Sequence, residues 1–274
     1  MAQTTTYALG YSKEEERRLA AQAGYFADLT EDVFRRAGLR AGMRVLDVGC
    51  GVGDVAFLAA RLVGPGGSVL GVDRAPPSIE TARQRAAALG LANVAFAAAD
   101  LETFEPPGPF DAVIGRFVLL YLRDPAALLR RCRNWIRPGG LFAFQEMDMS
   151  HAAQVPPSEL FEQTGRLIMT AFSVAGAQLD MGSQLLAAFR RADLPWPQMS
   201  AASRVEGGPE STCHQMFADV LRSLLPVLAQ HGLIADAAVE IDTLADRLRM
   251  DAVAHQRLTF TPRLVGAWVQ LPDG

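Results

Sequence analysis

The stretch Val45-Leu46-Asp47-Val48-Gly49-Cys50-Gly51-Val52-Gly53-Asp54 constrains this chain more than any other. The apolar run from Met43 to Val48 reads as a buried strand, and the periodic apolar pattern from Val55 to Leu62 reads as a helix. Between them stand three glycines at alternate positions. There the backbone must reverse sharply and lie close to a ligand, and a Cβ would obstruct both. The first amides of the following helix lack intrahelical acceptors, so the turn favours an electron-rich group such as a carboxylate or phosphate. A dinucleotide fingerprint, G-x-G-x-x-G counted from Gly49, would need glycine where Asp54 stands, which argues against pyrophosphate binding.

Strands and helices then alternate. Ser68 to Val72 is a strand ending at Asp73; Ile79 to Leu89 is a helix stopped by Gly90; Val94 to Ala98 is a third strand, followed by Asp100 and Leu101. Phe110 to Gly115 is a fourth strand with Arg116, Phe117, Tyr121 and Leu122 at its exit. A helix from Asp124-Pro125 to about Ile136 and an Arg137-Pro138-Gly139-Gly140 turn lead into a fifth strand, Leu141 to Asp148. Such alternation predicts a parallel, doubly wound core whose ligands collect at the strands' C-terminal edge.

The string D-x-G-x-G-x-G from Asp47, the acidic Asp73 at the end of the next strand, Asp100 after the third, F-D-x-V at Phe110 and the Ile-Arg-Pro-Gly-Gly turn together resemble the class I S-adenosylmethionine (SAM) dependent methyltransferases. The likeness covers residues 40–150, with 258–270 as a supporting closing strand. It implies an α/β, Rossmann-like, doubly wound seven-stranded sheet, mostly parallel with one antiparallel strand, and a helical lid insertion. It divides the chain into an N-terminal helical cover (1–40), a SAM-binding core (41–150) and a remainder (151–274) that completes the sheet and carries the lid at about 155–178 and 211–255. It places SAM, converted to S-adenosylhomocysteine, against Asp47, Gly49, Cys50, Gly51 and Gly53, with the methionine end at the turn. The ribose falls to Asp73, with Arg74 flanking the adenine; Asp100 and Leu101 meet the adenine, and Arg116 and Phe117 border the cofactor. Asp100 also reads as a plain turn residue.

The N-terminal region holds a capping box, Ser12 with Glu15, for a helix to about Gln22, and a second helix from about Thr30 to Ala37. Arg18, Gln22 and Tyr25 could face the site from there, or Arg18 could be solvated and Tyr25 packed as core. After residue 150 come helical patterns at about 158–176, 181–192, 211–230 and 235–255, and strands at about 198–205 and within 258–270. The stripe Met216, Phe217, Val220, Leu224 and Leu228 reads as core or as pocket wall.

Net charge is -4, and Arg130, Arg131, Arg133 and Arg137 flank Leu128, Leu129 and Trp135 as a solvated helix face. No basic field suits nucleic acid, and no apolar run suits a membrane span. Cys50, Cys132 and Cys213 have no paired spacing, and the chain opens with no apolar leader, so a reducing cytoplasm and free thiols are expected. His151, His214, His231 and His255 lack metal-ligand spacing, and no metal is expected. A small molecule is the expected partner; a homodimer stays open.

Methyl transfer from a sulfonium needs alignment and exclusion of water, and a base only where the acceptor carries a proton at neutral pH. His151, after the fifth strand, is the candidate base, with Glu146 orienting substrate or imidazole; the alternatives are an exposed loop histidine and a helix-capping carboxylate. Tyr25, Tyr121 and His214 are candidate substrate contacts. The expected activity is methylation of a small hydrophobic or aromatic acceptor, oxygen favoured over nitrogen or carbon, as in secondary metabolism. The rival is a protein of this fold that binds SAM and transfers no methyl.

Overall fold

A computed structural model describes residues 13–234 and 239–273. Helix α1 (Lys13–Ala37) is followed by β1 (Arg44–Val48), α2 (Asp54–Val63), β2 (Ser68–Asp73), α3 (Pro76–Ala88), β3 (Val94–Ala98), β4 (Phe110–Arg116), α4 (Pro125–Arg133) and β5 (Ile136–Asp148). Then come β6 (Ala153–Val155), α5 (Glu159–Val174), α6 (Met181–Arg191), β7 (Gln198–Ala202), β8 (Val205–Glu206), α7 (Cys213–Gln230), α8 (Ile241–Ala254), β9 (Leu258–Phe260) and β10 (Arg263–Gln270).

The main sheet has the order β3-β2-β1-β4-β5-β10-β7. It is parallel from β3 through β5, and β10 runs antiparallel to both of its neighbours. Side chains alternate across it as strand geometry requires. Val45 and Ala112 join Phe34, Phe57 and Ile79 beneath α1, α2 and α3, whereas Leu46 and Val113 join Leu129 and Phe189 beneath α4 and α6. The expected seven-stranded, doubly wound sheet with one antiparallel strand is therefore the architecture. A third cluster, with Phe161, Ile168, Phe217, Leu221 and Leu248, holds α5, α7 and α8 together beyond the strands' C-terminal edge.

Two expectations need correction. The N-terminal region is one continuous helix, α1, rather than two. Gly24 weakens a helix interior by about 1 kcal/mol, and burial of Val33 and Phe34 against the sheet outweighs it. The stretches at 198–205 and 258–270 are each two strands, and a small sheet β6-β9-β8 stands apart from the main one. The antiparallel pair β7/β10 bends at one level and continues as β8/β9. The bend falls where Pro262 has no amide to donate. There the Ser203 hydroxyl donates to the Thr261 carbonyl at 2.7 Å, and the Arg204 amide donates to the Thr261 hydroxyl at 3.1 Å. The segment 1–10 and the capping box of Ser12 lie outside the described residues. Among those described, no helix is long and apolar enough to cross a membrane. The three cysteines are free and buried.

Helix α1 seats on β10 at Gly266, where a Cβ would lie 2.6 Å from Cγ2 of Val33. Val33 is β-branched and stiff, so Gly266→Ala is expected to destabilise the fold by about 1–3 kcal/mol. Urea unfolding measures this, and the double variant with Val33→Ala should recover part of the loss.

Candidate active site

Gly49, Gly51 and Gly53 take φ values of 67°, 51° and 93°, which L side chains rarely adopt. A Cβ at Gly49 would meet Cγ2 of Val118 at 2.5 Å, whereas one at Gly51 would meet nothing within 4 Å, so the turn is open toward the sheet edge there. Its shape is held by β2. The Val72 carbonyl accepts the amides of Gly49 and Cys50 at 2.8 and 3.1 Å. The carboxylate of Asp73 accepts the Gly51 amide on one oxygen and the Ala75 amide on the other, both at 2.9 Å. Burial, with the negative charges of Asp47 and Asp73 nearby, pushes the Cys50 thiol well up and leaves it protonated.

Asp47 lies one residue before the end of β1, only 1% exposed, and neither of its carboxylate oxygens makes a hydrogen bond of ordinary geometry. Burial pushes its carboxyl well up; Arg116 and the backbone amide of Ala56 pull it back, and Asp73 and Asp54 add to the rise. Arg116, Gln145 and Asp47 lie toward the C-terminal ends of neighbouring strands on the face toward α1, with Arg116 opposite Gln145 in register. The Arg116 guanidinium donates to the Thr30 hydroxyl at 3.0 Å, and that hydroxyl lies 2.8 Å from Oε1 of Gln145. Burial lowers the Arg116 pKa against the opposing pull of Asp54 and Asp47. Asp54 is paired with Arg85 at 2.5 Å. The result is a buried polar row on three strands, with the Asp47 carboxyl enclosed beside it.

Further along the edge, the Ala99 amide donates to the Asp73 carbonyl at 2.9 Å, which brings Asp73 and the Asp100 turn side by side. Asp100 is exposed and caps its own turn, accepting the Glu102 amide at 2.9 Å. Leu101 is half-buried against the core, and Arg74 is exposed at the exit of β2.

Beside this groove, at the C-terminal ends of β4 and β5, lies an apolar cavity of about 70 Å³. Phe117 lines it with a strained φ of 56°, and its ring meets Phe26 of α1 edge to face at 6.3 Å. Tyr121, Met147, Met149, Ile168, Phe172, Met216 and Phe217 complete most of the wall, and Arg18 and Gln22 of α1 contribute the polar part. Phe117 and Tyr121 thus meet in one cavity, together with the first half of the stripe from Met216 to Val220.

Four of the singled-out residues lie outside this wall. The Tyr25 hydroxyl donates to Glu206 of β8, and burial pushes its pKa far up. His151 is exposed, with Nδ1 at 2.7 Å from the Ser150 hydroxyl and 3.0 Å from Arg263. Its neighbour Asp148 is buried, which raises its pKa, but hydrogen bonds from Ser150, Ser183 and Arg263 outweigh this and hold the carboxyl well below its ordinary value. His214 is buried on α7, with Nε2 at 3.3 Å from both Gln154 and Thr259; burial lowers its pKa. Glu146 is fully buried and accepts the amides of Val118 and Leu119 at 3.0 and 2.8 Å, which fastens the loop after β4. Among the described residues, no group of three or more histidine, cysteine or acidic side chains could hold a metal ion.

The sequence reading passed over Phe26, Met147, Met149 and Leu179, which also line the cavity. Met147 carried a usable signal as an apolar residue near the C-terminal end of β5, whereas Met149 follows the strand in a short turn. Leu179 carried none, because a loop folds it in.

The profile of the family described as "Methyltransferase domain" matches residues 39–193, more than half of the chain. The chain belongs to this family. The domain is 42% identical over 104 residues to the aklanonic acid methyltransferase DauC of Streptomyces sp., covering 38% of this chain and 47% of that protein. It is 31% identical over 212 residues to a trans-aconitate 2-methyltransferase of Methylobacterium radiotolerans, covering 77% of this chain and 63% of that one. The match therefore spans about half to under two thirds of these relatives' length. Among solved structures it is similar to the [4+2]-cyclase SpnF, with a TM-score of 0.53 and 22% identity over 90% of this chain and 82% of that one. That likeness concerns the fold alone.

Burial pushes the Glu146 carboxyl up to about 8, with the loop amides of Leu119 and Val118 pulling it back. The folded state therefore keeps a proton that the unfolded chain releases above its ordinary carboxylate range. The stabilising contribution is complete below about pH 4.5 and is lost as pH rises toward 8. Urea unfolding should show a decline on the order of 3–5 kcal/mol across that window. Glu146→Gln, which keeps an acceptor for both amides, should flatten the profile.

Proposed function

We propose that this chain is a SAM-dependent methyltransferase that transfers a methyl group to an oxygen of a small, apolar acceptor, of the hydrophobic or aromatic kind found in secondary metabolism. The observation that carries it is the partnerless, buried carboxylate of Asp47 under the open glycine turn, next to an apolar cavity. A buried carboxylate without a partner is costly, and a cationic ligand removes the cost. SAM is such a ligand, with an ammonium and a sulfonium, and when bound it supplies a methyl already activated for transfer. Asp47 and the turn from Gly49 to Gly53 would hold its methionine end. Asp73, already aligned by two backbone amides, would accept the ribose hydroxyls, and Asp100 and Leu101 would meet the adenine.

The chain's own work is then positioning. Phe117 and Tyr121 border the acceptor, and α5 and α7 roof the cavity and exclude water. The cavity has room for a few water molecules only, so α5, α7 and α8 would act as a lid that opens to admit the acceptor. Among the described residues the wall holds no histidine or carboxylate, which favours an acceptor that needs no base over proton removal by His151. The two curated relatives are named for acids, which offer oxygen. The same groove would serve a SAM-binding protein that transfers no methyl.

Labelled SAM with a panel of apolar oxygen acceptors tests the reading; a labelled product supports transfer, and SAM binding with no product from any acceptor favours the rival. Asp73→Ala is expected to weaken SAM binding about 30- to 1000-fold by calorimetry, through loss of charge-assisted bonds worth ~2–4 kcal/mol. Unchanged affinity in a folded variant would remove the ribose assignment.

A further inference from the structure

Resting on that reading, we infer that Arg116 holds the α-carboxylate of the cofactor's methionine end, and that it thereby selects the amino-acid form of the cofactor over forms that lack this group. Arg116 is the last residue of β4, on the sheet face toward α1. Its side chain is half-buried, and packed deeply enough that loss of water works against its charge. β1 and β5 flank it and α1 covers it, so the surface it keeps opens at the C-terminal edge of the sheet. β1 and β4 run level at Asp47 and Ile114, so the glycine turn begins level with Arg116. Val118, just past Arg116, reaches Gly49 closely enough to leave no room for a Cβ there.

The guanidinium is aligned, yet most of its donors are left over. One nitrogen donates to the Thr30 hydroxyl at 3.0 Å, and that hydroxyl is itself fixed by Oε1 of Gln145 at 2.8 Å and the Phe26 carbonyl at 3.0 Å. Among the described residues this is its one hydrogen bond, although a guanidinium carries several N–H donors. The carboxylates whose charge it feels are held apart from it. Asp54 is paired with Arg85 at 2.5 Å, and Asp47, enclosed in the polar row, forms no ion pair with it. Asp73 has both oxygens on the amides of Gly51 and Ala75. A partly desolvated cation with spare donors at the edge of a groove is costly to keep there, and it is pre-organised for an anion.

The chemistry of the cofactor names the anion. SAM and S-adenosylhomocysteine each carry a single negative group at neutral pH, the α-carboxylate, beside an ammonium. That carboxylate matches the planar fork of a guanidinium, which can make two parallel hydrogen bonds to it, and the ammonium is left to Asp47 and the turn. An anionic acceptor is the other ligand to weigh. Phe117, next in the chain, lines the acceptor cavity, whereas Arg116 is not part of that wall and its guanidinium lies 5.4 Å from the centroid of the Phe117 ring. Its charge therefore serves the cofactor side. No bond is made or broken at Arg116. It fixes one end of the chain of atoms that leads to the sulfonium, which aligns the methyl group.

The test is calorimetry on the full chain with two ligands: S-adenosylhomocysteine, and the analogue in which hydrogen replaces its α-carboxylate. The parent chain should bind the first about 10- to 100-fold more tightly. In Arg116→Gln that preference should shrink to about three-fold or less. S-adenosylhomocysteine loses its partner there, while the analogue, no longer set beside an unpaired guanidinium, should bind as in the parent chain or more tightly. Retained binding of the analogue also shows that the variant folds. Arg116→Lys keeps the charge without the fork and should show a preference between those of the parent chain and Arg116→Gln; it carries the comparison if Arg116→Gln does not fold. An equal preference in parent chain and variant, an equal loss of both ligands in a variant folded by circular dichroism, or no preference in the parent chain would overturn the assignment and leave the methyl-transfer reading standing. Failure of the parent chain to bind S-adenosylhomocysteine at all would overturn both readings, and the same titration distinguishes that case from the others.

Discussion

A carboxylate removed from water with no donor facing it is among the costlier arrangements a fold can contain, and Asp47 is in that state at the end of β1. The surroundings moderate the cost without cancelling it. Arg116 on the next strand supplies opposite charge, yet its own guanidinium donates to Thr30, whose hydroxyl lies on Gln145. Of the glycines that follow, Gly51 faces no neighbour within 4 Å of a Cβ, and Asp73 pins the turn to β2. The sheet order, the turn and the buried row all converge on that one unpartnered group.

Helix α1 links this groove to the acceptor cavity. Its second half packs Val33 and Phe34 against the sheet and sends Thr30 into the polar row, while its first half lines the cavity with Arg18, Gln22 and Phe26. Tyr25 lies between the two, with its hydroxyl on Glu206 and its carbonyl accepting from Arg204 at 2.6 Å. Glu206 in turn accepts the Thr212 and Cys213 amides that open α7. One helix therefore touches the main sheet, the small sheet and the helical layer, and a change in its seat reaches every wall of the cavity.

The fold and the cofactor groove were legible because their determinants are local. A run from Met43 to Val48, three glycines in a row of alternate positions and an acidic residue ending the next strand are short-range patterns, and backbone geometry fixes what they can form. The single helix α1 was less so: Gly24 argues locally for a break, and only burial against a sheet built from residues far along the chain overrules it. The strands around Ser203 and Thr261 were read as two and are four, since the bend between the sheets depends on contacts 58 residues apart.

The sequence by itself determined the strand-turn-helix at Asp47, the alternation that makes a doubly wound sheet, and the acidic residues at the ends of β2 and β3. These follow from periods of two and 3.6 residues and from the freedom of glycine, which are properties of neighbouring residues. Only the tertiary structure decided which side chains face the acceptor. It turned Glu146 to the amides of Val118 and Leu119, sent Tyr25 to Glu206, left His151 at the surface, and brought Arg18 to Met147, Phe172 and Met216. The physical reason is that a cavity wall is made by elements distant in sequence. Which face each one presents is settled by packing, and that balance is struck only when α1, β5, α5 and α7 meet.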